Sequence, residues 1–211
     1  MAETMKQLGK FSKLTPKSND AFQAWNAIAF KDGALSQRLK EIMAVACAAT
    51  TGCDFCLDLH SKAAKRAGVT EEEIAEALML ATASKAGAAF AHGANALNAF
   101  DGIEDDEYFK RSYMPKMMEL KSLAPEDFKG FMGFTMTAGT ESTLTTKERE
   151  LITTATAIIL SCPYCIDTHV TNAKNEGATK EEIAETVFIA SALNAGSAWT
   201  KAAPALKNYD K

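Results

Sequence analysis

Residues 35–90 align with residues 144–199 without a gap, at a constant displacement of 109, and about two positions in five are identical. Such a duplication favours two similar units that pack together, so the fold is to be sought as a repeat. Inside the repeat, Glu41, Cys53, Cys56 and His60 return as Glu150, Cys162, Cys165 and His169. The chain therefore carries Glu-x11-Cys-x2-Cys-x3-His twice. Four of its five cysteines and two of its three histidines lie within that motif. Ordinary core packing has no reason to repeat this combination of types.

The stretches around the motifs read as helix. Ala is abundant, β-branched runs are few, and apolar residues recur at helical spacing. Thr145 with Glu148 three residues on is a capping box for a helix running to Leu160. Cys162-Pro163-Tyr164-Cys165 opens the next helix, because Pro is tolerated in a first turn. Gly177 closes it, and Thr179 caps another whose first residues are acidic. Gly52, Gly68 and Thr70 repeat these signals in the first unit. The flanks match more weakly, with Phe22 and Trp25 facing Phe131 and Phe134. The expected fold is all-α: repeats over 15–100 and 124–204, joined by 101–123. That joining stretch reads as an acidic connector over 101–108 and a Met- and Lys-rich helix around 105–121.

On the first turns of a helix, Cys53, Cys56 and His60 share one face, as do Cys162, Cys165 and His169. The thiolate is the attacking species, and a free thiol with a pKa of about 8.5 is only a few per cent ionised at neutral pH. A helix N-terminus and a nearby imidazole both favour the ionised form. On helix position alone the first Cys of each pair is the more acidic. His60 lies one turn after Cys56 and can exchange a proton with it. Glu41 lies on the preceding helix and reaches the same place only if the chain reverses at Thr51-Gly52. There it can hold the imidazole or pass protons to a leaving oxygen. The two sulfurs of each pair are close enough to form a disulfide once one becomes a sulfenic acid.

A net charge of −4 and the lack of a basic run argue against nucleic-acid binding. The N-terminus lacks a signal-like pattern, and the longest apolar runs, such as 86–91, fall short of a membrane span. A cytoplasmic location is the default expectation, and there Cys-x2-Cys reads as a metal site or a cycling redox pair. A zinc site would draw a second Cys/His pair from elsewhere, and neither unit has one to spare. Haem attachment needs His directly after the second Cys, where Leu57 and Ile166 stand. Asp58 and Asp167 read as surface or capping residues, Cys47 as an inert buried thiol, and His92 as a surface or packing residue. Glu72, Glu73, Glu76, Glu181, Glu182 and Glu185 read as helix-start charges. Phe22, Trp25, Phe131 and Phe134 read first as core and second as walls of a cleft above the thiols.

The twice-kept motif in an Ala-rich helical chain resembles the carboxymuconolactone decarboxylase superfamily, and within it the alkylhydroperoxidase D-like branch. The resemblance covers both repeats. It implies a thiol peroxidase with catalytic residues Glu41, Cys53, Cys56, His60, Glu150, Cys162, Cys165 and His169, and with no cofactor or metal. In that branch the second Cys meets the hydroperoxide, the first resolves it, and Glu and His relay protons. Cys56 and Cys165 would then be peroxidatic, and Cys53 and Cys162 resolving. The oxidised pair would be reset by a dithiol donor, a lipoyl protein or a thioredoxin-like protein. The branch also implies six-membered rings, which a tandem chain could form as a homotrimer. This chain departs from the pattern in two ways: Phe55 and Tyr164 stand where alkylhydroperoxidase D proteins have a further His, and both units carry a complete motif. A disulfide reductase or redox sensor keeps the same thiols for another substrate. A carboxymuconolactone-type decarboxylase would use His60 and His169 alone as acid and base.

Overall fold

The computed structural model describes residues 2–103, 107, 109–140 and 143–210, and all regular structure among them is helical. The elements are α1 (Ala2–Leu8), α2 (Phe11–Leu14), α3 (Pro16–Ala29), α4 (Gln37–Thr51), α5 (Asp54–Arg66), α6 (Glu71–Ala91) and α7 (Gly93–Phe100). A 3-10 helix (Arg111–Met118) follows, then α8 (Glu119–Leu123), α9 (Pro125–Thr137), α10 (Thr146–Ile159), α11 (Pro163–Asn175), α12 (Lys180–Lys201) and α13 (Ala203–Lys207). Helices α3, α4, α5 and α6 each begin 109 residues before α9, α10, α11 and α12. Their starts are set by local chemistry. Thr70, Thr145 and Thr179 each form a complete capping box with the Glu three residues on, and Ser36 caps α4 through Leu39 N.

One shared core holds both units. Helices α4 and α10 pack on each other at the centre, and each also packs on the long helix of the other unit, α4 on α12 and α10 on α6. Their inner faces mix small residues with branched ones: Ile42, Ala44, Ala46 and Ala48 on α4, and Leu151, Ile152 and Ala155 on α10 are fully buried. The small residues let the backbones approach, while each Leu or Ile withdrawn from water contributes about 1.5–3 kcal/mol. Cys47 belongs to this core, and burial pushes its thiol up to about 12.

Two carboxylates latch the units together. Glu76 of α6 accepts hydrogen bonds from the amides of Thr143 (2.9 Å) and Leu144 (3.1 Å), with Arg149 at 3.4 Å. Glu185 of α12 does the same for Ala34 and Leu35 (2.9 Å each), with Lys40 at 2.9 Å. A Cβ on Gly33 would collide with that Glu185 carboxylate. Burial pushes the Glu185 carboxyl up, but the Leu35 amide, Lys40 and the Ala34 amide outweigh it and hold its pKa below the ordinary value. These two residues are not the helix-start charges expected of them. Each is the sixth residue of its helix, past the turn where the dipole acts. Glu73 and Glu182 do close the capping boxes, and they also pair with Arg38 and Lys147.

The joining stretch differs from the single helix expected. Residues 104–106 and 108 lie outside the described residues, so half of the acidic connector does too. The remainder is a 3-10 helix followed by the short α8; Pro115, within the 3-10 stretch, supplies no backbone N–H for α-helical pairing. This 3-10 helix packs on α7, as α1 packs on α13. In each case a segment preceding one unit covers the short last helix of the other. The stretch Glu71–Phe100 is apolar and long enough, by length and composition only, to cross a membrane. Its α6 portion packs against α4, α10 and α11.

Candidate active site

Each site forms where an inner helix turns into a short one. Helix α4 ends at Gly52, whose φ of +64° lets the chain reverse. The same turn in the second unit falls on Ser161, which holds φ +52° despite its Cβ, a conformation costing an L-residue about 1–2 kcal/mol. Cys53 and Cys162 are the N-caps of α5 and α11, and their sulfurs accept hydrogen bonds from Cys56 N (3.2 Å) and Cys165 N (3.3 Å). Disulfides join Cys53 to Cys56 and Cys162 to Cys165, with Cα–Cα separations of 5.2 and 5.3 Å, well inside the bridging range.

The reversal brings the acid residues back. Glu41 Oε2 lies 2.8 Å from His60 Nδ1, and Glu150 Oε2 lies 2.7 Å from His169 Nδ1. A carboxylate only accepts, so Nδ1 carries the hydrogen and Nε2 is left for exchange. Glu41 is 5% exposed, which shields the pair from solvent screening. Glu150 is more open and also accepts from Asn172 at 3.4 Å. Among the described residues, no group of three or more His, Cys, Asp or Glu side chains is placed to hold a metal ion.

Two separate clefts lie over these groups, and each is completed by the other unit. The first, of about 390 Å³, is lined by Glu41, Cys56 and His60, by Phe22 and Phe30, and by Gly196, Trp199 and Thr200 of α12. The second, of about 240 Å³, is lined by Glu150, Cys165 and His169, by Phe131, and by Leu80, Ser84 and Gly87 of α6. In both, the second Cys lines the cleft and the first lies behind it. All eight residues picked out from the motif therefore gather in two groups of four.

The two groups are not copies in detail. Thr200 Oγ1 sits 3.2 Å from Cys53 Sγ and 4.0 Å from Cys56 Sγ, whereas the equivalent residue at the second site is Ala91 of α6. Phe30 stacks on His60 with centroids 4.9 Å apart, where the second unit has Gly139. Phe55 lines its cleft, but Tyr164 is buried beside Phe109 and His92. Phe22 and Phe131 are cleft walls rather than core, and Trp25 lies outside, half-exposed beside Ile28 and Phe188. Asp58 and Asp167 point away and pair with Lys62 and Arg111. Thr200, Trp199 and Phe30 were absent from the sequence reading. One signal pointed to Trp199: its alignment with Phe90 places an aromatic at the same point of both long helices.

The Carboxymuconolactone decarboxylase family profile matches residues 16–99 and again 125–208, and the chain belongs to that family as a tandem-repeat member. Among curated relatives, uncharacterized protein 4 in the cox locus of Paracoccus denitrificans is 41% identical over 104 residues, covering 49% of this chain and 94% of that protein. An uncharacterized protein of Cupriavidus necator is 33% identical over 103 residues, covering 49% and 91%. A crystal structure of a provisionally assigned gamma-carboxymuconolactone decarboxylase subunit from Burkholderia xenovorans superposes with a TM-score of 0.74. It is 20% identical and covers 96% of this chain and 89% of its own, a likeness of fold.

Proposed function

We propose that the protein is a thiol peroxidase of the alkylhydroperoxidase D-like kind, reducing hydroperoxides through two dithiol/disulfide sites. The observation that carries this reading is the presence, in one cleft, of a bondable sulfur pair and a carboxylate-held imidazole, found twice. A cleft of this kind admits a small molecule to Cys56 or Cys165. A decarboxylase of the same fold would have no use for paired sulfurs.

In the reduced first site, the Cys56 thiolate attacks the terminal oxygen of the hydroperoxide. The O–O bond breaks with its electron pair on the departing alkoxide, which takes a proton from the His60 ring. Cys56 is left as a sulfenic acid. The Cys53 sulfur then attacks the Cys56 sulfur, the S–O bond breaks, and the oxygen leaves as water with the proton that the Cys53 thiol gives up through the His60 ring. One hydroperoxide and two thiols become one alcohol, one water and one disulfide. Glu41 stabilises the imidazolium and fixes its orientation. Access to the cleft makes Cys56 peroxidatic, and Cys53, the N-cap of α5 behind it, resolves. Cys162, Cys165, His169 and Glu150 take the same roles. A dithiol donor, lipoyl or thioredoxin-like, resets each pair by exchange. The assembly is a homotrimer in the cytoplasm.

The test is to mix reduced protein with millimolar organic hydroperoxide and count free thiols. Two thiols are lost per site, and the loss disappears in Cys56→Ser/Cys165→Ser. An unchanged count removes the peroxidase reading. Fast exchange with a disulfide reporter without peroxide consumption replaces it with a disulfide reductase.

A further inference from the structure

The two clefts share their reacting groups and differ in what surrounds them. The first is the larger, and its walls are mostly apolar, with Phe22, Phe55, Leu59 and Trp199 beside the uncharged polar Gln23 and Asn26. Apart from the Glu41–His60 pair, the one charged residue in its lining is Arg66, an exposed side chain with no ion pair or hydrogen bond to its guanidinium among the described residues. In the second cleft that position is Asn175, which is not part of the lining. The basic residue there, Arg149, is committed to Leu144 O at 2.9 Å, Thr146 Oγ1 at 3.0 Å and Glu76.

We infer that the first cleft selects amphipathic hydroperoxides that end in a carboxylate, namely fatty-acid hydroperoxides, with Arg66 receiving the carboxylate. Arg66 follows Cys56 by ten residues on α5, a rise of about 15 Å along the helix. It lies in the last turn of α5 and is part of the cleft lining. The guanidinium therefore marks the end of the cleft away from the sulfur, with an aromatic wall between them. A guanidinium binds a carboxylate through two parallel N–H donors. A molecule with its peroxide at Cys56, an alkyl chain along Phe22 and Trp199 and a carboxylate at Arg66 matches all three regions. The second cleft, without a free cation, takes smaller uncharged hydroperoxides. The word hydroperoxide rests on the function proposed above; the carboxylate-binding end does not.

The experiment separates the two. Trp25→Phe leaves Trp199, in the wall of the first cleft, as the one tryptophan. That protein is titrated with laurate and with methyl laurate, below micelle formation, and its fluorescence is followed. Laurate binds more tightly than the ester, and Arg66→Gln weakens laurate about two- to fivefold, the range of an exposed ion pair, and erases the preference. Equal affinity for acid and ester, or a preference that survives Arg66→Gln, overturns the inference. In parallel, Cys162→Ser/Cys165→Ser protein is oxidised with a fatty-acid hydroperoxide and with its methyl ester. Faster oxidation by the acid, dependent on Arg66, supports both claims. Arg66-dependent laurate binding without thiol loss sinks the peroxidase reading and leaves the carboxylate site standing.

Discussion

Glu41→Gln changes one charge in the first site and almost no volume. The wild-type carboxylate accepts from His60 Nδ1 at 2.8 Å, and at 5% exposure little solvent screens it. A hydrogen bond to a charged group is worth about 1.5–3 kcal/mol and a neutral one about 0.5–1.5 kcal/mol. The substitution therefore withdraws about 1–1.5 kcal/mol from the imidazolium that delivers the proton. At 1.36 kcal/mol per tenfold, oxidation slows about five- to twelvefold. Glu41→Ala removes the acceptor altogether and slows it about 10- to 150-fold. The assay is stopped-flow oxidation by an excess of organic hydroperoxide, with Cys162→Ser/Cys165→Ser silencing the second site. Circular dichroism confirms that each variant is folded. Both variants oxidising within twofold of the parent would refute the proton relay, and the imidazole would then be merely structural.

Glu76→Ala should destabilise the fold by about 1–3 kcal/mol, since it leaves the buried Leu144 amide and the Thr143 amide without their acceptor. Urea unfolding measures this, and a loss under about 1 kcal/mol would show that the latch is unimportant. Glu185 has a folded pKa below its ordinary 4.5, so its stabilising contribution is present above that value and is lost as the pH falls through the folded pKa. The urea midpoint should therefore drop in acid less steeply for Glu185→Gln than for the parent; identical slopes would exclude the latch as the acid-sensitive contact. Cys47, buried and pushed up to about 12, should resist a thiol reagent at mildly alkaline pH until the protein unfolds. Its labelling at the rate of the other four thiols would contradict the packing around α4.

Much of this architecture is written in the 109-residue displacement. Once the motif repeats in register, so do Gly52 and Ser161 at the reversals, the Thr70 and Thr179 capping boxes, and the return of Glu41 and Glu150 to their imidazoles. Those are local chemistry, set within a few turns of chain. Pairing between units is not local. Nothing in α12 by itself says that Trp199 and Thr200 face Cys56 of the other unit, because an apolar helix face looks alike whichever copy it packs on. The same blindness turned Glu76 and Glu185 into helix-start charges, although their place beyond the first turn was a warning. Phe22 and Phe131 read as core because an aromatic on a helix is more often core than cleft wall. The joining segment misread as one α-helix carried its own signal in Pro115.

The account stands most directly on the stoichiometry of a single turnover. Fully reduced protein is given increasing organic hydroperoxide without any donor, and the alcohol formed is measured against the thiols lost. With four cysteines in two pairs, one alcohol should appear for every two thiols, reaching a plateau at two alcohols per chain with Cys53–Cys56 and Cys162–Cys165 cross-linked. Thiol loss without alcohol, or cross-links that join other cysteines, would contradict it.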